Sequence, residues 1–125
     1  MSKITELFQT ADWKNEKHVP VITAPEKVKK DEEFQVDVAV GKEIAHPNTM
    51  EHHIVWIKLY YLAKDSKQAV ELGEYRFAAH GEGDAFTEPK ISTSVKLNTC
   101  GKLISTSYCN IHGLWTSEVD VQVEG

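Results

Sequence analysis

The feature that most constrains this chain is a series of short apolar–polar alternations, cut at near-regular intervals by turn-forming residues. Phe34-Gln35-Val36-Asp37-Val38-Ala39-Val40 repeats its apolar side chains at every second position. A half-buried strand needs that period, because successive side chains leave opposite faces of the backbone. Further strands are expected at residues 19–23, 54–62, 74–79, 91–97, 103–108 and 119–123. Turn signals separate them at residues 29–33, 64–67 and 81–84 and at Cys100-Gly101. Seven short strands so spaced predict an all-β fold, a seven-stranded immunoglobulin-like antiparallel sandwich or barrel. The exception is residues 2–9, where Ser2 as a cap and Ile4, Leu7 and Phe8 on one face predict a short N-terminal helix.

At 125 residues the chain is expected to form one domain, 1–125, with a single core. A net charge of −5 without a basic stripe argues against nucleic acid as a partner. No apolar run approaches membrane-spanning length, so no membrane partner is expected. The polar first ten residues do not read as a signal peptide. With only two cysteines, this points to the cytoplasm and to no disulfide framework.

Chemistry concentrates between the expected strands. Cys109-Asn110-Ile111-His112-Gly113 sets a thiol and an imidazole three residues apart on a tight turn joining the last two strands. His46 and His52 bracket a second loop around Pro47 and Asn48, and His18 stands before the first strand in Glu16-Lys17-His18-Val19-Pro20. Nitrogen and sulfur donors suit zinc, copper and iron. Each element taken alone also has a plain reading: a buried thiol beside a surface imidazole, a solvated charged loop at Glu16-Lys17. His52 and His53 are neighbours that a strand turns to opposite faces, and periodicity does not choose between them. His80, before Gly81, reads as an ordinary turn histidine, and Cys100 as a free thiol too far across its hairpin to pair with Cys109.

The number of donors separates the metals. His18, His46, His52, His112 and Cys109 are more than the four that close a structural zinc tetrahedron. A blue copper site wants two histidines, one cysteine and a weak axial methionine. The two methionines here are Met1 and Met50, neither following His112. Four imidazoles and one thiolate suit iron with a sixth position open to a small ligand.

Three spaced motifs then carry a resemblance. Glu16-Lys17-His18-Val19-Pro20, the run Gly41-Lys42-Glu43-Ile44-Ala45-His46-Pro47-Asn48-Thr49-Met50-Glu51-His52-His53, and Ser107-Tyr108-Cys109-Asn110-Ile111-His112-Gly113-Leu114-Trp115 resemble superoxide reductases of the one-iron, neelaredoxin type, in the desulfoferrodoxin family. The likeness extends to Phe8-Gln9-Thr10-Ala11-Asp12-Trp13-Lys14 and to Thr87-Glu88-Pro89. The chain departs from the family pattern in having no cysteine-rich rubredoxin-like module at its N-terminus, so a second iron is not expected. It also has a short segment between His80 and Thr87. The resemblance implies non-haem iron with His18, His46, His52 and His112 equatorial and Cys109 axial, which selects His52 over His53. It implies that Glu16 closes the sixth position in the oxidised state and that Lys17 lies beside it. It implies one-electron reduction of superoxide to hydrogen peroxide, a rubredoxin-like electron donor and a homotetramer. The alternative weighed against it is a cupredoxin-like copper electron-transfer protein using His46, Cys109 and His112, and beyond that an interaction domain whose histidines are incidental.

Overall fold

The computed structural model describes residues 3–125, and eight strands dominate it. They are β1 (Pro20–Thr23), β2 (Lys27–Lys29), β3 (Phe34–Val40), β4 (Ile54–Ala63), β5 (Val70–Arg76), β6 (Lys90–Val95), β7 (Gly101–Cys109) and β8 (Gly113–Glu124). They make a three-stranded sheet in the order β1-β3-β6 and a five-stranded sheet in the order β2-β8-β7-β4-β5, neither closed into a barrel. The alternation in the sequence is what buries: Val36 and Val38 from β3 face Ile57 and Leu59 from β4 and Leu103 from β7, all with no exposed surface. Val28 and Val121 complete the core from β2 and β8.

All seven expected strands are present, that at Phe34–Val40 with its expected bounds and the others with shifted ends, and three features differ from expectation. An eighth strand, β2, pairs parallel with β8 through Lys27↔Gln122 and Lys29↔Glu124, so the sheet is not purely antiparallel. Its three residues are too few for a period to register. The strand expected at 74–79 lies at Val70–Arg76, and its last bond to β4 runs from the Phe77 N–H to the Val55 carbonyl. The N-terminal helix is reduced to one 3-10 turn, Ile4–Glu6. Ile4 and Leu7 stay 59% and 49% exposed, so no apolar face is buried to sustain a longer helix. Ser2, the expected cap, lies outside the described residues. After the turn, Gln9 runs extended beside Trp115.

The register explains why distant loops meet. Pro20 pairs with Val40, so the segment entering β1 and the segment leaving β3 share one end of the fold. Ile54 pairs with Cys109, and Cys109 with Gly113, which puts the entry to β4 and the β7–β8 turn together. Ser107 Oγ donates to the His18 carbonyl and ties these two ends into one.

Candidate metal centre

Four of the expected donors stand at that end within a few ångströms. One donor atom each from His18, His46, His52 and Cys109 lie within 4.8 Å of one another. His112 joins them through Nδ1, 3.1 Å from His18 Nε2, 3.2 Å from His52 Nε2 and 3.8 Å from Cys109 Sγ. Cys109 Sγ is 3.4 Å from His46 Nε2. His18, His46 and Cys109 are buried, whereas His112 is exposed on its turn.

Local chemistry decides which nitrogen faces inward. His46 Nδ1 is 2.7 Å from the Pro47 carbonyl, an obligate acceptor, so this nitrogen carries the proton and Nε2 turns a lone pair toward Cys109. His18 Nδ1 is 2.6 Å from Glu16 Oε1, which fixes the same tautomer there. Metal-binding histidines are held in this way, by a carbonyl or carboxylate on the outer nitrogen. Two lone pairs and a thiol are thereby aimed at one point, an arrangement suited to holding a cation.

Backbone geometry supports the donors at two glycines. Gly113 closes the Cys109–His112 turn at φ +85, the left-handed region that favours glycine. Gly41, at φ +82, approaches so closely that a Cβ there would stand 2.6 Å from the His46 backbone nitrogen. The His112 N–H points at Cys109 Sγ over 3.4 Å.

Burial and charge lower the pKa of two of the imidazoles. Burial pushes His46 down to about 4, and the neighbouring His18, His52 and Lys17 push the same way, while the bond to Pro47 opposes them. His52 is lowered by burial and by His112, His18 and Lys17. Lys17 is half-buried, close enough to act on both rings. The Glu16 carboxylate accepts from the ring and backbone nitrogens of His18 and is engaged on the outer nitrogen of that ring. Burial alone would raise it, but the bonds from His18 outweigh that and leave it below the ordinary carboxylate value.

The remaining histidines sort themselves. His53 turns away, its Nδ1 bonded to the Thr49 carbonyl, and stacks on His80 at 3.5 Å between ring centres. His80 is not a solvent-facing turn residue: it is 6% exposed, with its ring nitrogens on Asn48 Oδ1 and the Phe77 carbonyl. Cys100 and Cys109 are both free thiols. Sequence reasoning missed Trp115 as a supporting group: its indole stacks on His18 at 5.0 Å and 13°. Its place two residues beyond Gly113 in β8 was the available signal. Asn110, which bonds the His53 N–H and the Glu51 carbonyl and so locks two ligand loops together, carried none.

Residues 10–118 match the family model described as Desulfoferrodoxin. The chain belongs to the desulfoferrodoxin family. The crystal structure of a candidate superoxide reductase from Thermotoga maritima superimposes with a TM-score of 0.97 at 52% identity, covering 100% of both chains. Neelaredoxin of Megalodesulfovibrio gigas is 46% identical over 98% of this chain and 99% of its own length. Superoxide reductase of Pyrococcus furiosus is 46% identical over 95% of this chain and 99% of its own. The cupredoxin alternative is not favoured. Its three donors do meet, but His18 and His52 crowd the same centre, and the family match lies elsewhere. No helix among the described residues is long and apolar enough to cross a membrane.

Proposed function

We propose that this chain is a superoxide reductase, a single domain over 1–125, holding one non-haem iron through His18, His46, His52, His112 and Cys109. The observation that carries this reading is the meeting of those five donors, with outer-nitrogen acceptors already in place on His18 and His46. Bound there, iron supplies a one-electron couple, which a rubredoxin-like carrier returns to the ferrous state. Superoxide takes up one electron and two protons and leaves as hydrogen peroxide, with no oxygen released.

The chain's own groups shape that chemistry. Lys17 gives a local cation that draws the anion in despite a net charge of −5, and it orients the water that hands over a proton. Cys109, with no exposed surface, keeps its sulfur dry and electron-rich, tempered by the His112 N–H. Glu16 fixes His18 while its carboxylate stays on Nδ1. Released from that ring, it would be a further carboxylate donor to the centre, competing with anions for the substrate's place. By family resemblance we extend the proposal to an immunoglobulin-like arrangement of the sheets, a homotetramer, a cytoplasmic location and a role in superoxide detoxification.

Metal analysis with stopped-flow mixing tests the reading. One iron per chain is expected, with the reduced protein consuming superoxide, forming peroxide and evolving no oxygen. Stoichiometric copper or zinc, or oxygen released in the amount dismutation requires, would refute it.

A further inference from the structure

We propose that Gln9 is a positioning residue for His112, holding the most exposed donor of the centre from the N-terminal arm in concert with Trp115. The inference rests on reading the cluster as an iron site. His18, His46 and Cys109 are each less than a tenth exposed, so packing alone restrains them. His112 is exposed on the three-residue link between β7 and β8, and packing does little for it.

Hydrogen bonds take over. The His112 carbonyl receives Gln9 Nε2 at 3.0 Å and Trp115 Nε1 at 3.3 Å, two donors for its two lone pairs. The His112 N–H meanwhile points at Cys109 Sγ. Both peptide groups flanking His112 are therefore pinned, one to the thiol and one to the arm. Trp115 also stacks on His18, so one indole steadies two donors from opposite ends of the chain.

Gln9 is a clean probe because its backbone is anchored independently of its side chain. Gln9 N donates to the Leu114 carbonyl at 3.0 Å and the Gln9 carbonyl accepts from Thr116 N at 2.8 Å. Gln9 itself is exposed, so side-chain changes there leave the core intact. Gln9→Ala removes the side-chain donor, and Gln9→Glu keeps the shape while replacing the donor by an acceptor. With the carbonyl left to Trp115 alone, the turn loosens, His112 Nδ1 loses its fixed aim, and the His112 N–H bond to the sulfur lengthens. A less hydrogen-bonded thiolate is a better electron donor, so its charge-transfer band to ferric iron moves to lower energy.

The experiment uses the full-length iron-loaded protein, wild type and both variants. Iron release to excess chelator and the visible band of the oxidised form are recorded, along with melting of the metal-free proteins. Both variants should release iron about tenfold faster or more, the range expected when a group supporting a ligand is lost. Their bands should shift to lower energy while the metal-free melting temperature stays at the wild-type value. Release rates and bands equal to wild type overturn the proposal. A metal-free melting temperature that falls along with iron retention also overturns it, since Gln9 would then be a general fold contact. Failure of the wild type itself to retain one iron per chain would sink the reading of the centre, and this inference with it.

Discussion

Acidification of the metal-free protein isolates the cost of keeping His46 neutral. In the unfolded chain the imidazole has its ordinary value of 6.5, and in the fold burial holds it at about 4. Above pH 6.5 both states leave the ring neutral, and it contributes no slope. Below 6.5 the unfolded chain takes up a proton that the folded chain resists, so stability falls as pH falls, and the loss levels off near 4. At 1.36 kcal/mol per tenfold change in proton affinity, the full loss approaches about 3 kcal/mol. That is a large share of the 5–15 kcal/mol typical of a domain. Carboxylates also titrate in this window, so the measurement is a difference. Urea unfolding of wild type and His46→Gln is followed at intervals from pH 8 to pH 4. The stability advantage of wild type over the variant should shrink by about 3 kcal/mol between pH 6.5 and 4. A difference that stays flat across that range would show that His46 is not held neutral by its surroundings, and the argument from burial would fail.

Four other perturbations follow from the same geometry. Gly113→Ala meets no nearby atom except Gln9 Nε2 at 3.9 Å, so it carries only the left-handed backbone penalty of about 1–2 kcal/mol, readable by thermal melting. Gly41→Ala should cost more and also weaken metal retention, because its Cβ collides with the His46 backbone; equal losses at the two glycines would refute the distinction. Cys109→Ser should abolish thiolate-to-metal absorption and bring superoxide consumption to background, whereas retention of that absorption would mean the sulfur is not a ligand. Glu16→Gln keeps the side chain's size but removes the charge behind His18, and iron should be released about 10–100-fold faster to a chelator; an unchanged rate would remove Glu16 from the support of His18.

The sequence disclosed the fold where a period had room to show itself. Seven residues of β3 alternate visibly, and their faces bury accordingly, with Val36, Val38 and Val40 buried and Gln35, Asp37 and Ala39 more open. Lys27-Val28-Lys29 is a strand because β8 offers it an edge, and three residues cannot announce that in advance. Ile4, Leu7 and Phe8 carry a helical spacing, yet spacing forms a helix only when something covers the apolar stripe. The donor positions were legible because histidine and cysteine are scarce and each stood at a strand end. The choice of His52 over His53 was not legible from alternation; the structure turns His52 to the cluster and His53 back onto His80. The direction of Glu16 was equally invisible, since a carboxylate two residues before a histidine reaches either the ring's outer nitrogen or the open face beyond it. Gln9 belongs to the same class, for its contact with His112 spans 103 positions of chain.

The placement of Cys109 at the end of β7, flanked by Ile54 of one neighbouring strand and Gly113 of the other, bears on the speed of electron exchange. A sulfur carried on a backbone paired on both sides has little freedom to shift when the charge of an ion beside it changes. Small displacement there favours a low reorganisation energy at the sulfur, which leaves Glu16, and not Cys109, as the group that would move.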